Sequence, residues 1–93
     1  MAQKRTTKDA LVRTIEKKLR EEYGSSHPEA RIDVYRHNSA SIRVRIVDPD
    51  FRGMDLVERE EKVWPIIESL PEETRSEITV LLLITPMERE PRS

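Results

Sequence analysis

Two histidines, His27 and His37, with Asp33 between them, are the side chains best suited by type to hold a metal ion or move a proton. Their spacing argues against it: one falls in a loop and the other at a strand end, unlike the i, i+4 pair that lets two imidazoles on one helix reach a single zinc. His37, beside a turn, is expected to be a surface residue. Ser39 and Ser41 are candidate nucleophiles, yet no base and orienting group accompany them, and turn chemistry accounts for both. The glutamates of 58–61 and 72–77 would make an acid and base pair only in a pocket that raised one of their pKa values. No pocket is marked, and they read as solvated faces. The chain has no cysteine, which excludes disulfides, thiolate metal sites and a cysteine nucleophile. The expectation is a protein without catalytic residues.

The elements that would carry these side chains follow from periodicity. Ninety-three residues make one small domain over 1–93, with a core at about 8–86 and tails 1–7 and 87–93 expected to be flexible. From Lys8 to Tyr23 the residues Leu11, Ile15, Leu19 and Tyr23 recur every four positions, which predicts a helix with one buried face. Thr6 or Thr7 would cap its start, and Gly24 would end it in the left-handed conformation. Ser25 to Pro28 reads as a loop. Arg31–Arg36 and Ile42–Ile46 alternate apolar and polar, and the His37–Ala40 gap, with Asn38 able to take positive φ, predicts an antiparallel hairpin.

Asp48-Pro49-Asp50 must end the second strand, Phe51 would anchor the following turn, and Gly53 would supply a backbone angle other residues resist. From Asp55 to Leu70 the apolar residues fall at helical spacing, but Pro65 predicts either a helix over 55–63 with a second from near Trp64, or one kinked helix. Pro71-Glu72-Glu73-Thr74 leaves the helix. Ile78–Ile84, apolar on both faces, reads as an interior strand. The crossover of about thirty residues is long enough to set strands two and three parallel. The expected class is α/β, a two-layer α+β domain in αββααβ order, with helices on one face of a three-stranded mixed sheet.

Charge is segregated although the net charge is only -1. Residues 1–20 hold seven Lys/Arg against Asp9 and Glu16, whereas 55–77 hold eight Asp/Glu against Arg59, Lys62 and Arg75. Lys4, Arg5, Lys8, Arg13, Lys17 and Lys18, with Arg43 and Arg45, are the candidate contacts for a DNA or RNA backbone, bound without sequence specificity and weakening steeply with salt. The scarcity of aromatics leaves little for base stacking. The N-terminal segment lacks the apolar run of a signal peptide and no stretch is long enough to span a membrane, so a cytoplasmic protein is expected.

Three segments carry a family likeness: Arg43-Val44-Arg45-Ile46-Val47 leading to Phe51-Arg52-Gly53-Met54, the pair Val63-Trp64, and the ending Ile84-Thr85-Pro86-Met87-Glu88. In this order they resemble the BolA family, whose domain is similar to the second type of KH fold, over nearly the whole chain. The resemblance implies a non-enzymatic regulatory protein, including transcription regulators, and a monothiol glutaredoxin as partner. It implies partner contacts at Phe51, Arg52, Gly53 and Met54 and at Glu77 and Ile78. In the family a histidine near the start of the last strand helps hold a shared two-iron cluster, and Glu77 stands there in this chain. A second family histidine corresponds to Glu60, in Arg59-Glu60. Several branches of the family keep a His or Cys ligand in the loop between the first two strands, and the resemblance makes the nearby His37 a weak metal-ligand candidate. Carboxylates are poor ligands for such iron, so no cofactor and no cluster ligand of its own is expected. The turn Asp50–Met54 has one glycine where nucleic-acid-binding KH domains use Gly-x-x-Gly, and its aspartates would repel phosphate. A nucleic-acid-binding regulator is the alternative reading.

Overall fold

The computed structural model describes residues 2–88, with side chains from Ala10 onward. A first helix, α1 (Ala2–Leu19), ends in one π-helical turn over Arg20–Gly24. Strand β1 (Arg31–Asn38) and strand β2 (Ser41–Val47) form a hairpin, followed by a 3-10 turn at Pro49–Phe51. Helix α2 (Leu56–Glu68), a short α3 (Glu72–Arg75) and strand β3 (Ile78–Ile84) complete the chain. β2 is central: it pairs antiparallel with β1 and parallel with β3. The expected two-layer αββααβ arrangement is the observed one.

Alternation along the strands builds the core. Ile32 and Val34 of β1 and Ile42, Val44 and Ile46 of β2 face the helices, where Ile15, Leu19 and Tyr23 of α1 and Val63 and Ile67 of α2 meet them. Leu81 and Leu83 extend this row on β3, opposite Val44 and Ile46. Each large apolar side chain removed from water contributes about 1.5–3 kcal/mol before chain entropy is charged against it. Among the described residues the other sheet face carries no helix. Its positions are Arg31, Asp33 and Tyr35 on β1, Arg43 and Arg45 on β2, and Val80, Leu82 and Ile84 on β3.

Several local expectations are corrected. α1 begins at Ala2, so Thr6 and Thr7 lie inside the helix instead of capping it; their side chains fall outside the described ones. Gly24 does not take positive φ, because the π turn unwinds the helix first; Gly53 alone does so among the described residues, at φ 79°. Asn38 also keeps negative φ, and its side-chain Oδ1 instead accepts the Ala40 N–H at 2.9 Å to close the turn. Pro65 lies within the single helix α2: its missing N–H frees only the carbonyl of Glu61, on an exposed position where water can satisfy it. Pro71 caps the short α3.

The last strand is not interior. β3 is an edge strand whose apolarity reports two faces, the helix-covered one and the open one, instead of two neighbouring strands. Among the described residues no helix is long and apolar enough to cross a membrane.

Candidate functional site

β2 and β3 run parallel, so both finish at the same end of the sheet, where β2 turns into Asp48–Met54 and β3 into Thr85–Glu88. Asp48 is 1% exposed and organises this end. Its Oδ1 accepts the Asp50 N–H at 2.9 Å, capping the 3-10 turn, and its own N–H donates to Ile84 O at 2.9 Å. The Tyr23 hydroxyl donates to Asp48 Oδ2 at 2.5 Å. Burial, then the bond to Asp48, push the Tyr23 phenol far above its ordinary pKa, so it stays a donor.

His27 stacks on the Tyr23 ring, centroids 4.1 Å apart, with Nδ1 2.7 Å from Asp50 Oδ2 and 3.2 Å from Asp48 Oδ2. Since both neighbours of Nδ1 are carboxylate oxygens, that nitrogen carries the proton and donates. His27, Asp48 and Asp50 place one ligand atom each within 4.8 Å of the others, near enough for a cation. Both Asp48 oxygens and Asp50 Oδ2 are already engaged by Tyr23, His27 and the Asp50 N–H, which makes the group a hydrogen-bonded clasp between the end of α1 and the end of β2. Neither His37 nor Asp33 belongs to it: His37 is exposed at the hairpin, 3.5 Å from Arg43, and Asp33 pairs with Arg45 at 2.9 Å.

On the other side of the turn stands Arg59 of α2, 9% exposed. Its Nε donates to Met54 O at 3.0 Å and Nη1 to Leu83 O at 2.9 Å, while Nη1 and Nη2 grip Glu88 Oε1 and Oε2 at 2.7 and 2.9 Å. The guanidinium also lies 5.6 Å from the Phe51 ring centroid. One side chain thus ties α2 to the turn, to β3 and to the segment after β3. The Glu88 bond raises the Arg59 pKa, and that same bond holds the Glu88 carboxyl down at about 2. Helix α2 itself starts from a reciprocal capping box, Asp55 Oδ1 accepting the Glu58 N–H and Glu58 Oε1 accepting the Asp55 N–H, both at 2.9 Å.

Between these two anchors Pro49, Arg52, Thr85, Pro86 and Met87 line a hollow of about 290 Å³. Arg52 and Gly53 are exposed, and Met87 is 80% exposed.

The residues expected to meet a partner are divided by this geometry. Arg52, Gly53 and the half-buried Met54 lie at the turn end, but Phe51 is fully buried and serves as the anchor, not as contact surface. Glu77 and Ile78 lie at the opposite end of the sheet, where Ile42 pairs with Ile78, about 20 Å away at strand rise. Thr85, Pro86 and Met87, which belong to the family likeness but not to the expected contacts, are the residues brought beside Arg52.

The nucleic-acid candidates are also separated. Arg13 and Lys17 are exposed on α1 in the helical layer, and Lys18 is paired with Glu22 at 2.6 Å, whereas Arg43 and Arg45 occupy the open face of the sheet. The side chains of Lys4, Arg5 and Lys8 fall outside the described ones.

A scan against protein-family models, a search of curated proteins and a search of solved structures each returned no match. Glu77, which the BolA likeness would set where the family has a cluster ligand, accepts from Arg36 Nη1 at 3.1 Å, and Arg36 also donates to the carbonyls of Asn38 and Ser39. This acid fastens the hairpin to the start of β3.

Proposed function

We propose that this chain is a BolA-like, non-enzymatic adaptor or regulator acting in the cytoplasm, which docks a monothiol glutaredoxin at the turn end of its parallel strand pair. It brings no iron ligand of its own at Glu77. The observation that supports the reading is convergence: two of the three segments with the family likeness meet at one hollow, through Arg52 on one side and Thr85, Pro86 and Met87 on the other, and Arg59 ties their flanks together by its bonds to Met54 O, Leu83 O and Glu88. A rigidly anchored surface with an exposed arginine and methionine suits protein recognition, since little ordering entropy is lost on binding. Arg52→Glu, at an exposed position, tests it: glutaredoxin binding by calorimetry should weaken while the melting temperature holds. Equal affinity would reject the surface.

The second reading, a nucleic-acid regulator, draws on the open sheet face, where Arg43 and Arg45 stand on the central strand. Binding to single-stranded DNA that falls steeply with salt, and falls further in Arg43→Glu, would favour it. Unchanged DNA mobility at low salt would remove it.

A further inference from the structure

Helix α2 buries one stripe, Val63 and Ile67 fully with Arg59, and leaves three large apolar residues outside: Leu56 at 58%, Val57 at 61% and Trp64 at 43% exposure. Val57 and Trp64 are seven residues apart and so share one outer strip of the helix, while Leu56, at the angle of the buried stripe but one turn beyond the core, flanks the start of that strip. The Trp64 indole N–H donates to Glu68 Oε2 at 2.6 Å. Its polar atom is thereby satisfied within the helix, and what it offers to the outside is apolar ring.

The strip is also acidic. Glu60 and Glu61 lie on it between Val57 and Trp64, and Glu68 follows one turn beyond, all exposed, and among the described residues neither Glu60 nor Glu61 has a cationic partner. Lys62 projects from the other flank of the helix, and Arg59 is committed to Glu88. An exposed tryptophan and valine interleaved with carboxylates make a mixed apolar and acidic strip, and the sign of its charge selects a cationic occupant. The same carboxylates repel phosphate, which disfavours nucleic acid here.

We propose that the outer strip of α2 docks a basic, amphipathic segment of a partner protein. Apolar anchors of that segment cover Trp64, Val57 and Leu56, while its Lys or Arg side chains meet Glu60, Glu61 and Glu68. The proposal is independent of the turn-end surface, because it uses none of Arg52, Thr85, Pro86 or Met87.

Trp64 is the only tryptophan in the chain, so its emission reports on the strip without labelling. The whole protein would be titrated with an amidated Lys/Leu amphipathic peptide and, separately, with its Glu/Leu counterpart. A saturable change in Trp64 emission is expected with the cationic peptide alone. Glu60→Lys with Glu61→Lys should weaken it about tenfold, Val57→Ser should weaken it too, and Glu29→Lys and Arg52→Glu should not. Circular dichroism would verify that each variant is folded. No emission change at excess cationic peptide, equal affinity in the charge-reversed variant, or equal response to the acidic peptide would overturn the proposal. So would a concentration-dependent mass without peptide that Glu60→Lys with Glu61→Lys abolishes, since it would assign the strip to a second copy of this chain.

Discussion

Arg59 and Glu88 form a two-pronged ion pair, Nη1 to Oε1 at 2.7 Å and Nη2 to Oε2 at 2.9 Å, across the outer side of β3. Its placement has a topological meaning. Ile84 O accepts from Asp48 and so points toward β2; by strand alternation Leu83 O points to the free edge, where Arg59 Nη1 takes it. Glu88 Oε1 accepts the next edge donor, the Thr85 N–H, at 3.1 Å. The pair therefore closes the end of an uncharged apolar edge strand, ITVLLLI, that would otherwise be open to pairing with other chains.

Arg59→Ala should leave Leu83 O buried without a donor, destabilising by about 2 kcal/mol or more, and should unplug the edge. Denaturant melts would show the loss, and sedimentation the growth of larger species with concentration. A variant as stable and as monomeric as the parent would contradict the edge-closing role. Arg59→Lys should recover little, because an ammonium cannot fork to both carboxylate oxygens and the carbonyls.

The pH dependence of the pair has a definite sign. Glu88 is held at about 2 when folded, against about 4.3 for an unfolded glutamate. Its stabilisation is complete above the unfolded value and is lost as pH falls through about 4.3 toward 2. The gap in melting temperature between the parent and Glu88→Gln should close over that window. A gap that stays constant down to pH 2 would show that the carboxylate charge is not what matters.

Removing the hydroxyl in Tyr23→Phe keeps the ring against His27 and Phe51 but takes a donor from a carboxylate that is 1% exposed. The expected cost is about 1–3 kcal/mol. Asp48→Asn in the same background should recover part of it, since the amide carries no charge to strand. A neutral Tyr23→Phe would mean that water replaces the hydroxyl.

How much of this was readable in the sequence depends on range. Residues four apart on α1 and alternating residues on β1 and β2 report local geometry, so the stripe Leu11, Ile15, Leu19, Tyr23 and the hairpin were legible, as was the special angle at Gly53. The fate of Pro65 was open, because whether a helix survives proline depends on what surrounds the freed carbonyl. The edge position of β3 is not legible, since an apolar strand looks the same whether its second apolar face meets a sheet layer or an open side. The clasp was invisible: Asp48-Pro49-Asp50 reads as a turn, and His27 joins it only because the end of α1 meets the end of β2. Arg59 looked like one more charge on an acidic helix. Its helical angle beside Val63 and Ile67, which puts it on the buried stripe, was the available signal.

Whether the turn end is a partner surface is tested most directly by nuclear magnetic resonance on the isotopically labelled chain. Titration with a monothiol glutaredoxin should shift the amides of Arg52, Gly53, Met54 and Met87 and leave Glu77 and Ile78, at the far end of the sheet, unmoved. No shift at the turn end with the partner in excess, or shifts confined to Glu77 and Ile78, would contradict it.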